Sequence, residues 1–148
     1  MSNKNIDATR PILLVEDNPM DIDLTRRAFT RRRLANPIEI ARDGKEALAW
    51  LARWEAGAPL PVIILLDLKL PKVDGLEVLR QLKSHPRFHT VPVVVLTSSD
   101  ENRDIETAYR LGANSYITKP VDFDKFLEVA GHIEIYWLAV NTAPRGDS

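Results

Sequence analysis

The sequence predicts an α/β fold in which helices cover both faces of a doubly wound, five-stranded parallel sheet. Short aliphatic runs alternate with helical patterns along the chain, which is typical of such sheets. Residues 62–66 are all branched aliphatics, as expected for a strand buried on both faces. At 148 residues, the chain has room for one domain with a full core.

Each element follows from a local pattern. Aliphatic runs predict strands at residues 12–15, 62–66 and 93–96, and shorter, partly polar segments predict strands at residues 37–41 and 115–118. Helical spacing and end signals predict helices from Pro19 through Phe29, and over residues 44–55, 75–82, 102–111 and 123–140. Asp17 or Asn18 is available to cap the first helix, and Gly112 to end the fourth. We expect one domain over residues 11–140, a flexible arm over residues 1–10 and a disordered tail over residues 141–148.

Acidic residues follow two of the predicted strands directly. Glu16 and Asp17 come after the first strand, and Asp67 comes after the third. Open α/β sheets place their ligands at the carboxyl ends of the strands, so we expect the three carboxylates at one edge. Clustered acids resist ionisation unless a cation holds them together. Oxygen ligands of this kind suit Mg²⁺.

Two further polar residues follow the last two strands. Thr97 comes after residues 93–96, and Lys119 with Pro120 comes after residues 115–118. A phosphoryl-transfer site combines the same groups: an acidic pair, an acceptor carboxylate, a hydroxyl and an ammonium. Taken singly, each residue also has a structural interpretation, such as helix capping for Asp17 and Asp67 or β-propensity for Thr97.

This ordered set, with the loop DLKLPKVDG at residues 67–75, resembles the receiver domain of response regulators, the CheY-like module of two-component signalling. The resemblance covers residues 11–139. It implies a flavodoxin-like strand order, 2-1-3-4-5, which makes the first and third strands neighbours. It also implies that Asp67 accepts a phosphoryl group from a kinase phosphohistidine.

Other roles are implied by the same resemblance. Asp17 and Asp67 would bind Mg²⁺ directly, Glu16 through a water, and the backbone carbonyl of Lys69 would complete the protein ligands. Lys119 would pair with Asp67 and then with the phosphoryl group, positioned by a cis bond to the following proline.

Thr97 would donate its hydroxyl to the phosphoryl group. Tyr116 would be the aromatic switch that turns inward as Thr97 moves, although the position is also compatible with a half-buried strand tyrosine. The arginines at the end of the first helix are interpreted either as a solvated face or as a kinase-docking surface: Arg26, Arg27, Arg31, Arg32 and Arg33.

The function implied is that of a single-domain response regulator, not an enzyme with turnover, that signals by protein contact or phosphorelay. The loop after Asp67 and the ending YWLAVN resemble the small regulators of bacterial and cyanobacterial phytochromes, so a sensor histidine kinase is the expected partner. The alternative is a haloacid-dehalogenase-type phosphatase, but Lys69 stands where those enzymes carry a general acid. A flavodoxin is disfavoured because the loop after the first strand is not a Ser/Thr/Gly-rich phosphate cradle.

Composition and the last helix bear on the remaining partners. The net charge of −1 argues against DNA binding, and the chain has no cysteine, no signal peptide and no apolar run of membrane-spanning length. We therefore expect a cytoplasmic protein.

The last helix predicts a homodimer. Beyond the face expected to pack on the sheet, it carries further apolar residues: Val129, Ile135, Tyr136, Leu138 and Val140.

Overall fold

The computed structural model describes residues 10–119 and 122–142, except the side chains of Ile133 and of residues 136–142. One parallel sheet has the order β2-β1-β3-β4-β5, which confirms the predicted fold and strand order. Its strands are β1 (Ile12–Val15), β2 (Ile38–Ala41), β3 (Ile63–Leu66), β4 (Val93–Thr97) and β5 (Ser115–Thr118).

Within the described residues, five helices cover the two faces of the sheet. They are α1 (Pro19–Arg31), α2 (Gly44–Glu55), α3 (Gly75–Ser84), α4 (Asn102–Arg110) and α5 (Phe123–Thr142). Helices α1 and α5 enclose one hydrophobic core with the sheet, and α2, α3 and α4 enclose the other. The centre of the sheet is thus apolar on both faces, which is why its inner strands β1, β3 and β4 are nearly continuous aliphatic runs.

The register of β1 against β3 places the acidic residues together. Val15 pairs with Leu66, so the residues that follow both strands emerge side by side at the carboxyl edge. The backbone continues this pairing, because Asp67 N donates to Val15 O at 3.0 Å. Glu16 and Asp67 are therefore neighbours, as the strand order predicts.

Polar side chains fix where the helices begin near this edge. Asn18, rather than Asp17, caps α1, because its Oδ1 accepts hydrogen bonds from Met20 N at 2.9 Å and Asp21 N at 3.3 Å. At the start of α3, Asp74 Oδ2 accepts from Leu76 N at 3.2 Å. Asp17 is consequently left free of the capping role.

The structure differs from the expectations at the chain ends and on one face of α5. Arg10 was expected in a flexible arm, but its guanidinium donates to Leu60 O at 3.1 Å and Pro61 O at 3.0 Å. Helix α5 extends to Thr142, two residues beyond the predicted end. Val129 was expected on a surplus apolar surface, which is wrong: it is buried, because it lies on the same helix face as Phe126. Residues 1–9 and 143–148 lie outside the described residues.

Candidate functional site

Asp67 lies at the carboxyl end of β3 with both side-chain oxygens hydrogen-bonded. Its Oδ1 accepts from Thr97 Oγ1 at 2.7 Å and from Lys69 N at 3.1 Å. Its Oδ2 accepts from Lys119 Nζ at 3.0 Å. Asp67 is only 5% exposed and Thr97 is fully buried, so these donors replace the water that a carboxylate would otherwise bind.

Lys119 joins three carboxylates at the centre of the site. Besides Asp67, its ammonium donates to Glu16 Oε1 at 2.9 Å and to Asp21 Oδ2 at 2.8 Å. Burial alone would lower the pKa of Lys119, but its hydrogen bonds to Asp21 and Glu16 outweigh burial and raise the pKa above the ordinary lysine value. Lys119 therefore stays a cation in this site.

Burial is the main influence on the pKa of Glu16. It is 3% exposed, and burial, with the nearby charge of Asp67 adding to it, raises the pKa of Glu16 to about 7. Hydrogen bonds from Lys119 and from Asn18 N act in the opposite direction and do not cancel the effect of burial. Lys119 alone therefore does not satisfy the negative charge of the site.

Three carboxylates of the site have the arrangement of a metal centre. Glu16, Asp17 and Asp67 each offer one oxygen, and these atoms lie within 4.8 Å of one another. Asp17 is exposed, whereas the other two are buried, so the cluster opens to solvent on one side. Oxygen donors that retain access to water fit a hard divalent cation such as Mg²⁺. The role of the Lys69 carbonyl stays a prediction.

Asp21 is a member of the site that sequence analysis missed. It lies in the first turn of α1, where an acidic residue is ordinarily explained by the helix dipole. Its position four residues after Asp17 was the available signal, because Asp17 lies just before the N-cap of α1 and Asp21 lies in the first turn of that helix. The structure shows that it binds Lys119 instead of facing only solvent.

Tyr116 and Ser99 connect β5 to the loop that follows β4. The Tyr116 hydroxyl donates to Ser99 O at 2.8 Å. Burial, supported by the charges of nearby acids, raises the pKa of Tyr116, so the phenol remains protonated and able to donate. The predicted switch role stays a prediction, and the bond between Lys119 and Pro120 lies outside the described residues.

The loop after Asp67 is held close to the site by glycine. Gly75 N donates to Leu68 O at 3.1 Å. A Cβ added at Gly75 would lie 2.4 Å from Leu68 Cα and 2.6 Å from Asp67 O. Only glycine therefore allows α3 to begin this near to the backbone of Asp67.

The arginines at the end of α1 are all exposed. Arg27 pairs with Asp23 at 2.8 Å within the helix, and Arg32 pairs with Glu134 of α5 at 3.2 Å. These pairs suit a solvated face, while the docking interpretation stays a prediction.

In the described part of the chain, no helix combines the length and the apolar composition that crossing a membrane requires.

Comparisons with known proteins agree with this geometry. The family model of the response regulator receiver domain matches residues 12–130. The probable methanogenesis regulatory protein FilR2 of Methanothrix harundinacea is 47% identical over 134 residues, covering 90% of this chain and 86% of FilR2. The response regulator Rcp1 of Synechocystis is 38% identical over 135 residues, covering 90% of this chain and 92% of Rcp1.

Among solved structures, the phosphorylated cyanobacterial phytochrome response regulator RcpA superposes with a TM-score of 0.81 at 41% identity. The alignment covers 89% of this chain and 96% of RcpA. Family model, relatives and fold agree, and the alternative of a haloacid-dehalogenase-type phosphatase is not favoured. The chain belongs to the family of response-regulator receiver domains.

Proposed function

We propose that this receiver accepts a phosphoryl group on Asp67, from a sensor histidine kinase and with the help of Mg²⁺. The observation that carries the proposal is the hydrogen bonding of Asp67, whose two oxygens meet a hydroxyl and an ammonium from β4 and from the end of β5. The same two donors are placed to bind the oxygens of a phosphoryl group on Asp67.

The transfer is a substitution at phosphorus. A carboxylate oxygen of Asp67 forms the new P–O bond while the P–N bond to the kinase histidine breaks, and the imidazole leaves with that electron pair and takes up a proton from solvent. Lys119 and Thr97 turn from the carboxylate to the phosphoryl oxygens. Glu16 and Asp21 keep the Lys119 ammonium at the site during this exchange.

Asp17 and Asp67 would hold the metal directly, with Glu16 acting through a water and the Lys69 carbonyl as a further ligand. When bound, Mg²⁺ would neutralise the negative charge that the carboxylates and the phosphoryl group bring together. A structure of the Mn²⁺-bound form of Rcp1 supports a divalent metal in this family.

The metal site is tested by recording the melting temperature while Mg²⁺ is titrated. Mg²⁺ should raise the melting temperature of the unsubstituted protein, and this rise should be smaller in Asp17→Ala. It should persist in Asp23→Ala, an exposed residue of α1.

The acceptor itself is tested by labelling. Incubation with acetyl phosphate and Mg²⁺ should add one phosphoryl group, detected by intact mass and mapped to the peptide that contains Asp67. Asp67→Asn should abolish the label, whereas Asp74→Asn, at the end of the same loop, should retain it. A label that persists in Asp67→Asn would remove Asp67 from the acceptor role.

The partner is proposed from the relatives. RcpA and the regulator AtBRR, which is 46% identical to this chain with a TM-score of 0.70, are described as phytochrome and bacteriophytochrome response regulators. We expect a phytochrome-type histidine kinase in the cytoplasm and no direct binding to DNA. Phosphotransfer profiling against every histidine kinase encoded in the source genome tests this, and transfer only from kinases of other classes would exclude it.

The protein is proposed to signal by protein contact or phosphorelay. One such contact is a homodimer formed through α5. Ile135 is 64% exposed on this helix, which supports an interface at this position of α5. The side chains of Tyr136, Leu138 and Val140 lie outside the described residues. Sedimentation at tens of micromolar protein should show a dimer that Tyr136→Glu or Ile135→Glu disrupts. A monomer with and without beryllofluoride would refute the dimer.

A further inference from the structure

Asp21 binds the ammonium of Lys119 at least as closely as the other two carboxylates do. Its Oδ2 accepts from Lys119 Nζ at 2.8 Å. The corresponding distances are 2.9 Å for Glu16 Oε1 and 3.0 Å for Asp67 Oδ2. An ammonium has three N–H groups, so these three carboxylates occupy all of its donors. Because Asp21 and Asp67 bind the same nitrogen atom, their Oδ2 atoms are at most two hydrogen-bond lengths apart.

The first turn of α1 holds Asp21 in this position. The N–H of Asp21 donates to Asn18 Oδ1 at 3.3 Å, and its carbonyl accepts from the hydroxyl of Thr25 at 2.7 Å. Thr25 is buried, and the side chain of Asp21 is only 19% exposed. The positive end of the helix dipole favours a negative charge in this turn. The carboxylate of Asp21 is therefore fixed beside Lys119.

Asp21 adds a negative charge to those of the metal site. The carboxylates whose oxygens lie within 4.8 Å of one another are those of Glu16, Asp17 and Asp67, and Asp21 joins them through Lys119. Four carboxylates thus lie around one ammonium, which carries a single positive charge. Such an excess of negative charge attracts a divalent cation and repels an anion.

We propose that Asp21 sets the relative affinity of the site for its two ligands: its carboxylate strengthens the binding of a divalent cation and weakens that of the phosphoryl group. The inference rests on the proposed function. A phosphoryl group on Asp67 brings negative charge close to that of Asp21. It also competes for the N–H groups of Lys119, of which Asp21 keeps one. Asp21 thereby increases the dependence of phosphorylation on the cation.

Asparagine at position 21 separates the charge of Asp21 from its hydrogen bond. The amide oxygen of asparagine accepts a hydrogen bond from an ammonium but carries no negative charge. If Asp21 only supported the structure of the site, its replacement would weaken the binding of both ligands. The role proposed for its charge predicts opposite changes in the two affinities.

The test is a pair of dissociation constants measured on the full chain. Calorimetric titration gives the Kd for Mg²⁺, and fluorine NMR gives the Kd for beryllofluoride, a phosphoryl mimic, in saturating Mg²⁺. In Asp21→Asn, the first should rise about tenfold and the second should fall about threefold, since the cation carries two charges and the mimic carries one. Asp21→Glu, which keeps the charge, should restore most of both affinities. Asp23→Asn, an exposed change on the same helix, should leave both unchanged.

Weaker binding of both ligands in Asp21→Asn would show that Asp21 only supports the structure, and it would overturn the inference. A change in one affinity alone, or in neither, would overturn it as well while leaving Asp67 as the acceptor. Absence of beryllofluoride binding in the unsubstituted protein would overturn the proposed function, and this inference with it.

Discussion

Lys119 Nζ lies 3.0 Å from Asp67 Oδ2, across 52 residues of sequence, and it binds Glu16 and Asp21 at the same time. One ammonium thus faces three carboxylates in a largely buried place, with the side chain of Lys119 only 11% exposed. The charge balance of the site in the metal-free protein therefore depends on this one cation.

Lys119→Met should destabilise the metal-free protein, because buried carboxylates lose their positive partner. Breaking a buried ion pair costs about 3–5 kcal/mol, and partial protonation of Glu16 will lessen that cost. Urea unfolding at neutral pH measures the change, with Lys125→Met, an exposed lysine of α5, as the control. Mg²⁺ should also stabilise Lys119→Met more than the unsubstituted protein, and equal stabilisation of the two would count against a shared site.

The pKa of Glu16 predicts how the stability of the metal-free protein depends on pH. It rises from the ordinary value of 4.5 to about 7 on folding, so between these pH values the folded protein keeps a proton that the unfolded chain has lost. The stability that this proton provides is complete below pH 4.5 and is lost as pH rises through 7. Its slope is at most about 1.4 kcal/mol per pH unit.

Glu16→Gln should remove this slope, since glutamine does not titrate. Unfolding free energies in the presence of a chelator, measured from pH 5 to 8 for both proteins, give the contribution of Glu16 as a difference. Parallel pH profiles for the two proteins would contradict the raised pKa.

The sheet and most of the site could be predicted because both follow from strand ends. Apolar runs locate β1 and β3, and the polar residues directly after them, such as Asp17 and Asp67, are then fixed at one edge by the parallel register. Asp21 could not be predicted in this way. It lies in the first turn of a helix, where the helix dipole already explains an acidic residue.

The apolar surface of α5 shows a second limit of sequence analysis. Helical spacing assigned Val129 to an apolar surface beyond the face expected to pack on the sheet. In the structure, α5 packs against both α1 and the sheet, so its buried stripe is wide enough to include Val129. The width of such a stripe depends on the neighbours of the helix, which the spacing alone does not specify.

Gly75→Ala should disturb both stability and the acceptor, because the new Cβ would lie 2.6 Å from Asp67 O and 2.4 Å from Leu68 Cα. These atoms belong to the backbone of the loop after β3 and cannot move aside without shifting that loop, so we expect the free energy of unfolding to fall by about 1–3 kcal/mol. Gly131→Ala is the matched control. The atoms nearest to its Cβ would be those at the end of the Arg32 side chain, at 3.0 Å, and this flexible group can move.

Melting temperatures of the two alanine variants check this prediction. A large decrease for Gly75→Ala beside a small change for Gly131→Ala is expected. Similar values for both would show that the approach of α3 to Asp67 does not require glycine.

The most direct measurement of the central claim, that Asp67 accepts a phosphoryl group in a Mg²⁺-dependent site, is fluorine NMR of beryllofluoride, a phosphoryl mimic, added to the full chain. Protein-bound fluorine signals are expected only when beryllium, fluoride and Mg²⁺ are all present. They should be lost on chelation of Mg²⁺ and in Asp67→Asn, and should remain in Asp74→Asn. Bound signals that persist in Asp67→Asn or without Mg²⁺ would contradict the account.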